Sequence, residues 1–200
     1  MFKEKLNKTL AKALEEAGLS EPTAFQQKCL SKINSGADVI GADAPGSGRT
    51  TLLVIATIQK LQQAFEDAPR AFILVAGKEE ALAMKALFDL LGKETNLRSI
   101  AVFEEGKLEK QNEEIYFGMD IVIGTPRRSV ELYLSRNFNI SKIKLFAIDD
   151  AELFVKHAWQ GYVDRLGLSL PKCQHLIFTK ELNEKVEKMV HKFVVAPVYC

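Results

Sequence analysis

The stretch with the clearest chemical signature reads Asp-Ala-Pro-Gly-Ser-Gly-Arg-Thr and resembles a phosphate-binding loop, or P-loop. Such a loop uses small residues so that backbone N–H groups can surround phosphate oxygens, with a cation for the outer phosphates and a hydroxyl for Mg²⁺. Gly46, Ser47 and Gly48 supply the small residues. Arg49 occupies the cation position and Thr50 carries the hydroxyl. The alternative is an ordinary glycine-rich turn between a strand and a helix.

Two positions depart from the general pattern G-x-x-x-x-G-K-[S/T]. Asp43 stands in place of the first glycine, and Arg49 stands in place of the lysine. Two like charges ~4 Å apart cost about 1 kcal/mol in water and about 4 kcal/mol at an effective dielectric constant of 20, so Asp43 opposes phosphate binding. Arg49 keeps the positive charge but replaces a compact ammonium with a wider planar group. We therefore expect the domain to bind nucleotide weakly.

An acidic cluster follows the apolar run Leu-Phe-Ala-Ile, just outside a predicted buried strand. A P-loop protein needs one acidic residue here to hold the Mg²⁺ shell and another to orient the attacking water. Asp149 and Asp150 are the candidates for these catalytic roles, and Asp149 would hold the metal together with Thr50, through water. The alternative is a helix N-cap, where the free N–H groups and the helix dipole favour aspartate.

Basic residues follow two other predicted strands. Thr125 and Arg128 belong to the sequence Thr-Pro-Arg-Arg, which places cations beside a helix N-terminus, an arrangement that binds phosphate well. A plain helix start with proline at its first position explains the same residues. Lys78, after another strand, is a weaker candidate because a single lysine is usually solvated.

The elements that would position these side chains are visible as short apolar runs separated by helical patterns. The predicted strands cover residues 38–42, 71–76, 99–103, 120–123, 145–148 and 175–178. The predicted helices begin with an amphipathic segment that ends at Gly18, and one of them covers residues 50–65. Alternating strands and helices indicate an α/β fold with a parallel sheet between helical layers. Ligands bind at the carboxyl ends of such strands, where the candidate residues lie.

Composition limits the class of protein. The chain has 200 residues, 47% of them hydrophobic, and a net charge of +1, which describes one globular domain without a broadly basic surface. The three cysteines lack metal-ligand spacing and are expected to be reduced. We find no signal sequence and no run of the ~20 apolar residues that a membrane span needs. The expected location is therefore cytoplasmic, with no membrane partner.

The order of the motifs resembles the N-terminal RecA-like domain of DEAD-box RNA helicases, from about Phe2 to Tyr199. The stretch Gly-Leu-Ser-Glu-Pro-Thr-Ala-Phe-Gln, which ends at Gln26, resembles the family's Q motif, whose glutamine recognises adenine. Phe2 is the candidate for the aromatic that stacks near the base, one position out of register. The resemblance implies a three-layer RecA-like P-loop fold with about seven parallel strands, and ATP and Mg²⁺ as cofactors.

Two further segments match places where the family contacts RNA phosphates. Ala-Gly-Lys-Glu, which contains Lys78, stands where the family has Pro-Thr-Arg-Glu. Thr125 and Arg128 match the first and last residues of the family's Thr-Pro-Gly-Arg, while Arg127 replaces the glycine and would crowd close RNA approach. The resemblance implies RNA binding by Lys78, Thr125 and Arg128 through the RNA backbone, without sequence preference.

The acidic cluster, Asp-Asp-Ala-Glu, occupies the place of the family's Asp-Glu-Ala-Asp motif. Asp150 is one methylene shorter than the glutamate that polarises water in the family. Thr179 lies in a segment that corresponds to Phe-Ser-Ala-Thr, which couples hydrolysis to strand separation. The resemblance therefore implies that Glu152 and Thr179 carry this coupling.

The resemblance implies that residues 1–200 form one nucleotide- and RNA-binding domain of an ATP-dependent RNA helicase. Its partners would be RNA and a second RecA-like domain, which supplies an arginine to the catalytic site. We expect the chain to be a piece of a longer protein; a free-standing remnant is the alternative. Because the P-loop and the acidic motif are altered, a catalytically decayed pseudo-helicase that acts as a scaffold is the competing hypothesis. The isolated domain is expected to have little or no activity.

Overall fold

The computed structural model describes residues 5–135 and 138–200. Phe2, the predicted base-stacking aromatic, lies outside the described residues. The described chain forms one seven-stranded sheet in which all paired strands are parallel, in the order β3-β4-β2-β5-β6-β1-β7. The strands are β1 Val39–Ala42, β2 Ala71–Leu74, β3 Ser99–Val102, β4 Ile121–Gly124, β5 Leu145–Ile148, β6 Gln174–Thr179 and β7 Val198–Tyr199. The predicted α/β class and strand number are confirmed.

Nine α-helices in the described chain surround this sheet. They are α1 Lys8–Glu16, α2 Ala24–Asn34, α3 Arg49–Leu61, α4 Lys78–Leu91, α5 Leu108–Tyr116, α6 Pro126–Leu134, α7 Ala151–Lys156, α8 Gln160–Gly167 and α9 Glu184–Val190. The short α7 and β7 were not predicted, because segments of six and two residues carry too little periodicity. Among the described residues, no helix is both long enough and apolar enough to cross a bilayer.

Two hydrophobic cores lie on opposite faces of the sheet. Successive side chains of a strand point to opposite faces, so within β2 Ile73 packs in one core while Phe72 and Leu74 pack in the other. Helices α1 to α4 cover the first face, and helices α5 to α9 cover the second. The strands are apolar on both sides because helices cover both faces.

Helix α3 is shorter than predicted. The pattern indicated a helix over residues 50–65, but α3 ends at Leu61. Gln62 has a φ of 64°, outside the helical region, and Phe65 donates its backbone N–H to Asp120 Oδ1 at 3.2 Å. Phe65 is also 55% exposed. The apolar spacing in the sequence continues past Leu61, but the backbone N–H of Phe65 is hydrogen-bonded to the distant Asp120 carboxylate and not to a helical carbonyl group.

The strand register brings the candidate loops to one edge of the sheet. Ala42 at the end of β1 pairs with Thr179 at the end of β6. Leu74 at the end of β2 pairs with both Gly124 and Ile148, the last residues of β4 and β5. The loops after these five strands therefore leave from the same edge, as predicted.

Candidate active site

The P-loop connects β1 to α3 through two glycines in the left-handed region. Gly46 has a φ of 84° and Gly48 a φ of 87°, values that glycine adopts without strain. Among the described residues, no heavy atom lies within 4 Å of the Cβ position at Gly46. The loop backbone is thus open at Gly46, as a phosphate cradle requires.

Two residues of the Q-motif stretch are hydrogen-bonded to backbone carbonyl groups of the P-loop. Thr23 donates its hydroxyl hydrogen to the carbonyl oxygen of Ser47 at 2.6 Å. Gln26 donates from Nε2 to the carbonyl oxygen of Gly48 at 3.1 Å. Both carbonyl groups are directed toward α2, which orients the peptide planes of the loop. Sequence reasoning missed the role of Thr23.

Gln26 is buried and takes part in a capping box at the start of α2. Its Oε1 accepts from the backbone N–H of Thr23 at 3.1 Å, while its own backbone N–H donates to Thr23 Oγ1. This reciprocal pairing is the S/T-x-x-E/Q signature, so the sequence Thr-Ala-Phe-Gln could have revealed it. A side-chain amide has two donors and two lone pairs. One donor and one lone pair of Gln26 therefore remain for a base, and adenine recognition stays a prediction.

Thr50 and Asp149, the two predicted metal ligands, are in contact. Thr50 donates its hydroxyl hydrogen to Asp149 Oδ2 at 2.5 Å. Asp149 is only 5% exposed, and its Oδ1 has no hydrogen-bond partner in the described chain. Mg²⁺ prefers hard oxygen ligands and retains several waters. A buried carboxylate oxygen without a partner, beside a hydroxyl, fits a hydrated Mg²⁺.

Burial raises the pKa of Asp149 to about 6, with a further contribution from the negative charge of Asp150. The hydrogen bond from Thr50 and the charge of Arg49 act in the opposite direction. The ionised form of Asp149 is therefore destabilised when no cation is bound beside it. A bound Mg²⁺ would relieve that cost.

Arg49 and Asp150, one departure from the family's P-loop and one from its acidic motif, form an ion pair. Arg49 Nη2 donates to Asp150 Oδ1 at 2.6 Å, and the Arg49 side chain is only 8% exposed. The cation predicted to meet the outer phosphates is thus bound to the residue predicted to orient water. Asp150 lies in the left-handed region, with φ and ψ both 52°.

Asp43 is bonded within its own loop. Its Oδ1 accepts from the backbone N–H of Ala44 at 2.7 Å, and its backbone N–H donates to the carbonyl oxygen of Thr179 at 3.2 Å. The carboxylate therefore occupies a loop N–H group as well as adding negative charge. Both effects disfavour phosphate at this position.

The predicted coupling residues are joined directly. Thr179 Oγ1 donates to Glu152 Oε2 at 2.8 Å, and the same oxygen accepts from the backbone N–H of Lys180 at 3.0 Å. The acidic motif after β5 is thereby connected to the segment after β6. The coupling role of Glu152 and Thr179 stays a prediction.

The predicted RNA-binding residues differ in their exposure and in how many of their polar groups are already hydrogen-bonded within the protein. Thr125 is buried and donates its hydroxyl hydrogen to Glu104 Oε2 at 2.7 Å. Lys78 is exposed at the start of α4, with its ammonium 5.2 Å from the ring centroid of Phe103. Arg127 is also exposed, although Glu131 accepts from its Nε at 3.1 Å.

Arg128 is buried and holds the loop after β3. Its Nη1 donates to the carbonyl oxygen of Gly106 and to Gln111 Oε1, both at 2.7 Å. Its Nη2 donates to the carbonyl oxygen of Glu104 at 2.9 Å, and its Nε donates to Glu131 Oε2 at 2.9 Å. Four of its five N–H groups are thus used within the protein. The structural roles of Glu104 and Gln111 carried no sequence signal, because the contacts join separate elements.

The sequence profile of the DEAD/DEAH box helicase family matches residues 23–189 of this chain. The ATP-dependent RNA helicase Dbp10 of Emericella nidulans is 33% identical over 183 residues, covering 90% of this chain and 20% of the relative. Dbp10 of Schizosaccharomyces pombe is 31% identical over 179 residues, covering 88% and 21%. The ATP-dependent RNA helicase eIF4A of Eremothecium gossypii is 27% identical over 195 residues, covering 97% and 49%. This chain therefore spans about a fifth to a half of these relatives' lengths.

Solved structures show the same fold. Saccharomyces cerevisiae Dbp5 in complex with Gle1 and IP6 superposes with a TM-score of 0.86 at 22% identity, covering 100% of this chain and 51% of that one. The yeast DEAD-box splicing factor Prp28 superposes with a TM-score of 0.89 at 20% identity, covering 98% and 49%. The family profile spans the P-loop, the acidic cluster and the Thr-Pro-Arg-Arg segment that begins at Thr125. The chain belongs to the DEAD/DEAH box helicase family.

Proposed function

We propose that this domain binds ATP with Mg²⁺, and RNA through its backbone, as one RecA-like half of an ATP-dependent RNA helicase. The observation that carries the proposal is the contact between Thr50 and Asp149, because it joins the hydroxyl of the P-loop to the acidic motif at the ligand-binding edge of the sheet. The relatives named above are ATP-dependent RNA helicases, which supports the same activity.

The residues would divide the work as follows. Loop N–H groups around Gly46 and Gly48 receive phosphate oxygens, as backbone amides do at a helix N-terminus. Thr50 and Asp149 would hold a hydrated Mg²⁺, which would supply positive charge beside the phosphates. Asp150 orients the attacking water once it is free of Arg49. An arginine from a second RecA-like domain would complete the site.

RNA would bind beside the nucleotide site at the same edge. Lys78 and Thr125 follow β2 and β4, which are neighbours in the sheet. Lys78 is exposed, so its ammonium can reach a phosphate. Contacts of this kind recognise the RNA backbone and carry no sequence information.

Calorimetry of the isolated domain tests nucleotide binding. We expect weak binding of Mg·ATP and weaker binding of Mg·GTP, because a single RecA-like half supplies part of the site and Asp43 opposes the phosphates. Equal affinities for the two nucleotides would contradict adenine recognition through Gln26. No binding of either nucleotide at millimolar concentration would contradict the nucleotide site itself.

A pseudo-helicase scaffold is the second candidate. The observation that favours it is the loss of two groups for phosphate chemistry, since Arg49 is held by Asp150 and Asp43 occupies a loop N–H group. RNA-stimulated phosphate release, measured in a protein that carries both RecA-like domains, separates the two candidates. Turnover within the ~1 s⁻¹ to 10³ s⁻¹ range of ordinary enzymes supports the helicase. RNA or partner binding without turnover supports the scaffold.

A further inference from the structure

The ion pair between Arg49 and Asp150 uses only part of the guanidinium. Arg49 Nη2 donates to Asp150 Oδ1 at 2.6 Å, whereas Arg49 Nη1 is buried and has no hydrogen-bond partner in the part of the chain that the structure describes. A buried donor without a partner is destabilising, because it has lost its bond to water without gaining another. The Asp150 carboxylate therefore leaves part of the hydrogen-bonding capacity of Arg49 unused.

A phosphate group would satisfy this pocket better than Asp150 does. A guanidinium presents two parallel N–H groups to phosphate, and such bidentate pairs are stronger than single hydrogen bonds. Phosphate would use both Nη1 and Nη2, while Asp150 meets Nη2 alone. Exchange of the carboxylate for a phosphate is thus favoured by the geometry already present.

Asp150 is held near Arg49 against opposing influences. Arg49 attracts the Asp150 carboxylate, whereas the negative charges of Glu152 and Glu80 repel it. The Asp150 side chain remains 31% exposed, so it has space to leave when the guanidinium finds another partner.

We propose that Arg49 and Asp150 form a latch, in which Asp150 occupies the phosphate-binding cation until an outer phosphate of the nucleotide replaces it. The inference rests on the proposed nucleotide site. Asp150 then has two successive roles, because the exchange that fixes the phosphate also releases the residue that would orient water. Asp150 is accordingly a positioning residue for Arg49 before it can act on the substrate.

The two residues of the latch differ from the family's residues in opposite directions of side-chain length. Arg49 is longer than the lysine whose place it takes, and Asp150 is one methylene shorter than the corresponding glutamate. A lengthened cation facing a shortened carboxylate leaves the span of the pair nearly unchanged. We therefore expect either restoration alone to leave the pair too short or too crowded.

Calorimetry with Mg·ATP on four forms of the isolated domain tests the latch: the unmodified protein, Asp150→Asn, Arg49→Gln and the double variant. Asparagine tolerates the left-handed backbone of residue 150. We expect Asp150→Asn to tighten binding about tenfold when Arg49 is present, because the freed guanidinium gains a charge-assisted pair. In the Arg49→Gln background the same change should alter affinity less than about twofold, since no latch remains to be opened.

Asp43→Asn is the matched control. It also removes one negative charge at the ligand-binding edge of the sheet, but Asp43 is bonded to Ala44 and not to Arg49. Its effect on affinity should therefore be the same with arginine or glutamine at position 49. If Asp150→Asn also acts equally in both backgrounds, Asp150 merely repels phosphate and the latch is refuted. If none of the proteins binds nucleotide, the proposed function fails and the latch fails with it.

Urea unfolding tests the length match without nucleotide. Arg49→Lys and Asp150→Glu should each lower the free energy of unfolding, and the double variant should recover it. Additive losses in the double variant would show that the two residues are not matched. This measurement separates failure of the pairing from failure of nucleotide binding.

Discussion

Thr50 Oγ1 lies 2.5 Å from Asp149 Oδ2, although 99 positions separate the two residues in the chain. Thr50 is in the first turn of α3 and Asp149 directly follows β5, with β6 between β5 and β1 in the sheet. Since the parallel strands end at one edge, the hydroxyl and the carboxylate meet there.

Thr50→Val removes the hydroxyl and keeps the shape of the side chain. We expect the part of the ATP affinity that depends on Mg²⁺ to fall about tenfold or more, because hydrogen bonds to charged groups contribute about 1.5–3 kcal/mol. Calorimetry with Mg²⁺ and with EDTA isolates that part. Thr50→Ser keeps the hydroxyl and should retain most of the affinity. Equal Mg²⁺ dependence in Thr50→Val and the unmodified domain would contradict the metal assignment.

Asp149→Asn should stabilise the domain without ligand at neutral pH. Folding raises the pKa of Asp149 from 3.8 to about 6, so the native state binds this proton more tightly than the unfolded chain. The contribution of Asp149 to the free energy of unfolding therefore declines as the pH rises from about 4 to about 6, and is constant above that window. A shift of about two pKa units corresponds to a cost of about 3 kcal/mol for the ionised form.

Asparagine does not titrate, so it avoids this cost. Urea unfolding at pH 7.5 should show Asp149→Asn more stable than the unmodified domain by up to about 3 kcal/mol. At pH 4 most of the advantage should disappear, because both side chains are then largely neutral in the native state. An advantage of equal size at both pH values would show that the buried charge is not its cause.

Gln26→Ala removes the bond to the Gly48 carbonyl group as well as any contact with adenine. We expect lower affinity for ATP, loss of the preference for ATP over GTP, and about 1 kcal/mol less stability from the lost capping box. Thr23→Ala is the matched control, since it also breaks the capping box and releases the Ser47 carbonyl group, but keeps the Gln26 side-chain amide. It should weaken ATP and GTP binding equally. If Gln26→Ala keeps the ratio of the two affinities, Gln26 serves only to hold the P-loop.

Arg128→Ala should destabilise the domain by about 3 kcal/mol, because it leaves one buried acceptor and two partly buried carbonyl groups without their donor and because Glu131 is only partly solvated. Its neighbour Arg127 is 66% exposed, so Arg127→Ala should change stability by no more than about 0.5 kcal/mol. Urea unfolding compares the two. Similar losses would refute a structural role for Arg128. RNA affinity of Arg128→Ala has meaning only where the unfolding curve shows the variant to be folded.

Local pattern was sufficient for six of the seven strands and for the ligand-binding edge. The glycines at positions 46 and 48 predicted the P-loop, because left-handed turns need residues without a side chain. The apolar run 145–148 predicted a buried strand and thereby placed Asp149 at its end. The end of α3 was not predictable in this way, since Asp120, far along the chain, binds the backbone of Phe65.

The sequence by itself determined the fold class, the order of the strands along the chain and the residues that meet at one sheet edge, because periodicity and turn chemistry are local. Only the tertiary structure decided which of those residues are free. It pairs Arg49 with Asp150 and consumes Arg128 in holding the loop after β3. It also buries Asp149 deeply enough to raise its pKa to about 6. Hydrogen-bond partners and burial depend on elements brought together by strand pairing, and no local pattern records those distances.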